Sequence, residues 1–174
     1  MINEQGKICC YCMRRIALNN SHNEHFKPRS RYHELELDYK NIFASCSGQD
    51  DLQVERWHCD QKKEDWFDDR IPSLLSADIE KCFKYSISGE VFPNHPKGTE
   101  KYDIEKKMIE NIGLNAPYLI RNRKNVIDNS EIMDDCEYSA DEWRDFISYY
   151  DNMHDGKYEE YCNVIINIIA EEIA

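Results

Sequence analysis

The chain has 174 residues, of which 41% are hydrophobic and 11% aromatic, enough for one ordinary domain or a small core with an extension. A mean hydropathy of -0.79 and the lack of any apolar run near the ~20 residues that cross a bilayer exclude a spanning helix. The net charge of -12 argues against general affinity for phosphate backbones, but it is uneven: residues 1–66 carry 10 Lys/Arg against 11 Asp/Glu, and residues 67–174 carry 12 against 23. The near-neutral first third holds a local basic run, and the acidic remainder suits a face that meets a partner.

Residues 1–5 have neither the basic nor the apolar region of a secretory leader, so a cytoplasmic location is expected. Ile8-Cys9-Cys10-Tyr11-Cys12 reads as a metal knuckle. Residues 23–30 are expected to be a strand or extended loop, with a second short strand or helix start near residues 39–43. Residues 47–56 look like a surface insertion, and His58 to Trp66 reads as the start of a helix. Phe83 to Pro93 predicts a hairpin, Gly89 supplying the positive φ of its turn. Ile104, Met108, Ile109 and Ile112 recur at helical spacing between Glu100 and Leu114 and stop at Gly113. Pro117 starts a second helix, and residues 129–140 are an acidic loop. Ser139 with Glu142 forms a capping-box pattern ahead of a helix over residues 141–150, and a last helix is expected over residues 158–173.

Eight cysteines in a chain of this kind point to metal or chemistry before disulfides. Cys82, Cys136 and Cys162 are scattered and read as small apolar residues. Cys9-x-x-Cys12 is one pair of thiolates for a tetrahedral zinc; Cys46 and Cys59 are the candidate second pair, with Cys10 the spare. The competing uses are free buried thiols, or a redox pair at Cys9 and Cys12, which usually sits in a βαβ context absent here. Between the cysteines lies Glu24-His25-Phe26-Lys27-Pro28-Arg29. Phosphodiester hydrolysis needs a base for water, a cation for the developing charge, and groups that hold phosphate. His25 can be the base, Glu24 and Asp60 can be ligands of a hard cation such as Mg²⁺, and Lys27, Arg29 and Lys63 can contact phosphates. A plain solvated face is the other reading of the basic run. Asn41 is either a turn residue or an amide that fixes the tautomer of His25.

As a set, Cys9-x-x-Cys12, Glu24-His25-x-x-Pro28, Asn41, Cys46 and Cys59-Asp60-x-x-Lys63 resemble the HNH endonucleases of the ββα-metal superfamily. The Cys-x-Tyr-Cys knuckle, the Glu-His-Phe-x-Pro core and Ser45-Cys46 with His58-Cys59 resemble the HNH component of Septu-type and retron-associated antiphage systems. Phe83 to Pro93, and Ile112-Gly113-Leu114-Asn115 with Leu119 and Arg121, extend the resemblance to about residue 125. It implies an α+β fold: a zinc-stabilised ββα-metal core over residues 1–70, then a hairpin and mainly helical extension over 71–174 that packs on the core and binds a partner. It also implies His25 as general base with Asn41 its orienter. Glu24 and Asp60 would be ligands of catalytic Mg²⁺ or Mn²⁺, and Cys9, Cys12, Cys46 and Cys59 those of a structural Zn²⁺. Asp60 departs from the His or Asn of many HNH nucleases and favours hard cations. The implied substrate is DNA or tRNA, the implied partner an ABC-type or SMC-like ATPase, and in the retron branch an RNA–DNA complex. A non-catalytic zinc-stabilised interaction module of the same complex is the competing reading; it would be expected to have lost one of Glu24, His25, Asn41 and Asp60, and all four are present.

Overall fold

The computed structural model describes residues 1–48, 53, 56–130, 132 and 138–173. Cys136, most of the expected insertion at 47–56 and part of the acidic stretch at 129–140 lie outside the described residues. The fold is a mixed α+β arrangement with two small sheets. Strands β1 (Ser21–His25) and β2 (Ile42–Cys46) pair antiparallel, with Ser21 opposite Cys46 and His25 opposite Ile42. The extended segment expected over residues 23–30 therefore starts earlier and ends at His25. Pro28 lacks a ladder donor and instead accepts from the amides of Arg31 and Tyr32, which turns the chain. Asp38 then caps a short 3-10 turn over Tyr39–Asn41, accepting from the Lys40 amide, and leads into β2.

Helix α1 (Asp60–Lys63) is a single turn. The segment does start a helix near His58, but Glu64 takes a φ of 47° and ends it. The hairpin follows as strands β3 (Phe83–Tyr85) and β4 (Val91–Pro93), with Gly89 at φ +87°. Helix α2 (Glu100–Ile112) is capped by the Thr99 hydroxyl, which accepts from the Tyr102 amide, and stops at Gly113. Helix α3 (Pro117–Asp128) has its proline in the first turn, where the missing N–H costs nothing. Helix α4 (Ala140–Tyr150) carries the full capping box of Ser139 and Glu142. Helix α5 (Cys162–Glu172) starts four residues later than its apolar pattern suggested, because Tyr161 sits in the left-handed region at φ 58°.

Two apolar layers position the site. Phe26, the residue after β1, packs edge-to-face on Phe43 and Phe67, with ring centroids 6.4 and 5.2 Å apart. The same cluster takes in Ile104, Met108, Ile109 and Ile112 of α2, so the core continues across residue 70. A second cluster surrounds the cysteines with Ile16, Ala44, Ala116 and Leu119. The Ile112 carbonyl accepts from the Cys59 amide at 2.7 Å, so the end of α2 pins the residue that opens α1. Arg123, fully buried, donates to the carbonyls of Gly89 at 2.6 Å and Leu114 at 2.7 Å, tying the hairpin turn to the α2–α3 junction.

Candidate active site and metal centre

The knuckle is a tight turn in which the Met13 amide donates to the Cys9 carbonyl at 3.0 Å and Ile8 bridges Arg15. It brings Cys9 and Cys12 to Cys46, the last residue of β2, and to Cys59, the residue before α1. All four are buried, and their sulfurs lie within 4.8 Å of one another. Tetrahedral zinc with Zn–S bonds of ~2.3 Å has sulfur–sulfur edges of about 3.8 Å, and Cys12 and Cys46 are 3.8 Å apart. The quartet fits zinc in donor type, number and spacing. Burial pushes the Cys12 and Cys59 thiols up, while hydrogen bonds from Cys12 and Cys59 bring Cys46 down to about 6; a divalent cation is what allows four such sulfurs to ionise together.

The wide spacing between Cys46 and Cys59 closes through Gly48. Its carbonyl accepts from the His58 amide at 3.1 Å, and at φ +62° a Cβ there would stand 2.2 Å from the His58 carbonyl oxygen. The loop between can then be long at small entropic cost. His58 is wholly buried, its Nδ1 3.2 Å from the Cys59 sulfur and 3.8 Å from that of Cys46, with its ring stacked on Tyr118. An Nδ1–H facing two thiolates is the outer support that metal-bound sulfur normally receives.

Next to the quartet, Glu24, His25 and Asp60 line one open cleft of about 620 Å³. Glu24 is 5% exposed. Its Oε1 accepts from the Tyr11 hydroxyl at 2.6 Å and from the Lys63 ammonium at 2.7 Å. Burial nevertheless raises its pKa to about 7, against the pull of Lys63 and Tyr11 and with a contribution from the neighbouring Asp60 carboxylate. Asp60 also meets His22 Nδ1 at 3.0 Å. His25 Nε2 is 2.9 Å from the Glu36 carbonyl oxygen; a carbonyl only accepts, so that nitrogen is the donor, and in the neutral ring the lone pair lies on Nδ1. Among the described residues, five carboxylates line the cleft (Glu24, Glu36, Asp60, Glu64 and Asp65) and Arg29 is its one arginine or lysine.

Several expected partnerships are arranged differently. Lys63 was expected to contact phosphate; it is 3% exposed and buried against Glu24, with the His25 and Glu64 carbonyls as further acceptors. Lys27 turns away from the cleft and lies over the rings of Tyr32 and Phe67, at 5.2 and 5.5 Å. Arg29 remains on the cleft wall, in an exposed pair with Glu36 at 3.5 Å. Asn41 does not reach the imidazole of His25. Its amide oxygen accepts from the Lys27 amide at 2.8 Å and its nitrogen donates to the carbonyls of Lys27 and Leu35, so it clamps the loop that leaves β1. Tyr11, His22 and His58 join the site without having been expected. For His22 a signal existed: it stands two residues before Glu24 and so shares its face of β1.

No protein-family model matches the chain. In an alignment of 130 positions that covers 71% of the chain, it is 31% identical to a protein of Vibrio cholerae serotype O1 biovar El Tor named "Retron Vc95 putative HNH endonuclease". The chain is similar to that protein and spans 60% of its length. Among the described residues no helix is long and apolar enough to cross a membrane.

Proposed function

We propose that this chain is a metal-dependent endonuclease of the HNH type, hydrolysing phosphodiester bonds in DNA or tRNA. The observation that carries the reading is the convergence of Glu24, His25 and Asp60 on one cleft beside a buried cysteine quartet. The order β1, β2, α1, with Glu24-His25 closing the first strand and Asp60 opening the helix, supports a ββα-metal core over residues 1–70. On this reading residues 71–174 form the extension that meets a partner. The structural ion is Zn²⁺ on Cys9, Cys12, Cys46 and Cys59.

The adjacent carboxylates of Glu24 and Asp60 are hard oxygen donors and fit Mg²⁺ or Mn²⁺. When bound, such a cation neutralises charge that develops on the phosphate and its leaving oxygen. The chain's own residues do the remainder. His25 Nδ1 takes a proton from attacking water, and the Glu36 carbonyl holds the ring by its other nitrogen. Arg29 pairs with a phosphate oxygen, giving up an exposed ion pair of little energetic worth. Asn41 fixes the loop that carries Arg29. With Glu36, Asp60, Glu64 and Asp65 around Arg29, and Glu24 already paired with Lys63, the cleft attracts a cation but repels a bare phosphate chain. Delivery of nucleic acid is therefore assigned to a partner, which the resemblance implies is an ATPase of the ABC or SMC type within an antiphage complex. The name of the relative supports a retron setting.

His25→Ala tests the reading. It should abolish plasmid or tRNA cleavage in Mg²⁺ or Mn²⁺ while the melting temperature and zinc content hold. Cleavage at the wild-type rate would remove His25 as the base.

A further inference from the structure

The two groups that hold Glu24 both come from segments anchored by the cysteine quartet. Tyr11 stands inside the knuckle, one residue before Cys12, and donates its hydroxyl to Glu24 Oε1 at 2.6 Å. Lys63 ends the single-turn helix that follows Cys59, and its ammonium meets the same Oε1 at 2.7 Å. Both donors sit on one oxygen of the carboxylate, and Asp60 lies alongside it at the cleft. The Tyr11 ring packs against both apolar clusters, so ring and hydroxyl have separable jobs.

We propose that Tyr11 is a positioning residue that transmits the order of the four-cysteine knuckle to Glu24 and so sets the affinity of the Glu24–Asp60 pair for a hard divalent cation. This rests on the reading in which those two carboxylates take the cation. Zinc at the quartet would then do more than stabilise the fold: by fixing the turn that carries Tyr11, it would hold the orientation of the Glu24 carboxylate at the cleft. A metal's outer partners are typically worth 10- to 100-fold in its affinity, and the single charge-assisted bond from Tyr11 belongs to that class.

The test uses the full zinc-loaded chain and Mn²⁺ as the probe. Tyr11→Phe keeps the ring and removes the donor. It should keep the wild-type zinc content and melt within a few degrees of the parent, yet bind Mn²⁺ about 10- to 100-fold more weakly in an electron paramagnetic resonance titration. Cleavage should recover at saturating Mn²⁺. Glu24→Gln runs in parallel and should lose Mn²⁺ binding almost entirely. If Glu24→Gln loses binding while Tyr11→Phe binds as the parent does, the inference fails and the cation reading stands. If Glu24→Gln binds Mn²⁺ like the parent, the cation reading fails and takes the inference with it. A Tyr11→Phe chain that loses zinc or its fold would also overturn the inference, because the hydroxyl would then serve the knuckle rather than Glu24.

Discussion

Replacing Lys63 by methionine should expose the electrostatics of the cleft. The ammonium is buried, 2.7 Å from a carboxylate that is itself buried. Removing one member of such a pair typically costs ~3–5 kcal/mol, because the partner charge is left in a poor solvent. For a chain of this size that corresponds to a fall in melting temperature of roughly 6–20 °C. The deficit should depend on pH, and its sign follows from Glu24. In the folded protein its pKa is raised from 4.5 to about 7. The native state therefore keeps a proton that the unfolded chain has released, and the associated stability is present at low pH and lost as pH rises toward 7. That raised value is equivalent to about 3 kcal/mol between the two ends of the window. Without Lys63, whose charge and hydrogen bond pull the pKa down, Glu24 would hold its proton to higher pH still, and the loss would continue past 7. Lys63→Met should accordingly be much less stable than the parent at pH 8 and only mildly so at pH 5, where Glu24 is neutral in both. Thermal melts across that range, without added divalent cation, give the comparison. An equal deficit at both pH values, or none at pH 8, would refute the account of Glu24 as a buried charge held by Lys63.

Asn41→Ala should lower stability by about 2–4 kcal/mol, the net worth of three hydrogen bonds to the Lys27 and Leu35 backbone. Nitrogen NMR of the His25 imidazole should show the same tautomer as the parent, since the Glu36 carbonyl holds that ring; a changed tautomer would restore Asn41 as its orienter. Cys59→Ser should abolish stoichiometric zinc and leave the chain unfolded at room temperature, as seen by elemental analysis and circular dichroism, because structural zinc contributes ~10–16 kcal/mol of apparent binding free energy. A folded, zinc-free variant would show that the quartet is a packed set of thiols.

The helical half was legible wherever a cap marks an end. Gly113, Pro117 and the Ser139–Glu142 box each place a boundary within about a residue. The start of α5 was not, because the apolar pattern continues back through Tyr158 while Tyr161 breaks the backbone, and a left-handed tyrosine leaves no compositional trace. At the site, the chemically rare residues at short spacing stood out: the knuckle cysteines, Glu24-His25 and Asp60. What the sequence hides is partnership. Lys63 reads as a phosphate contact, because a helix of four residues has no periodicity to reveal that this side chain is buried. Tyr11 looks like knuckle filler until tertiary packing lays it on Glu24. Asn41 is named by its place in the motif, yet its task is set by the loop folded over it.

The pinch at Gly48 and His58 has a consequence for finding such chains. Because the carbonyl of one meets the amide of the other, the geometry of Cys46 and Cys59 does not depend on how many residues separate them. A search pattern written on fixed cysteine spacing would pass over relatives whose gap is longer or shorter. A pattern written on the ends of the gap, Ser-Cys-x-Gly on one side and His-Cys-Asp on the other with any length between, would retain them, and each match could be checked by whether its gap is the segment that varies most in length.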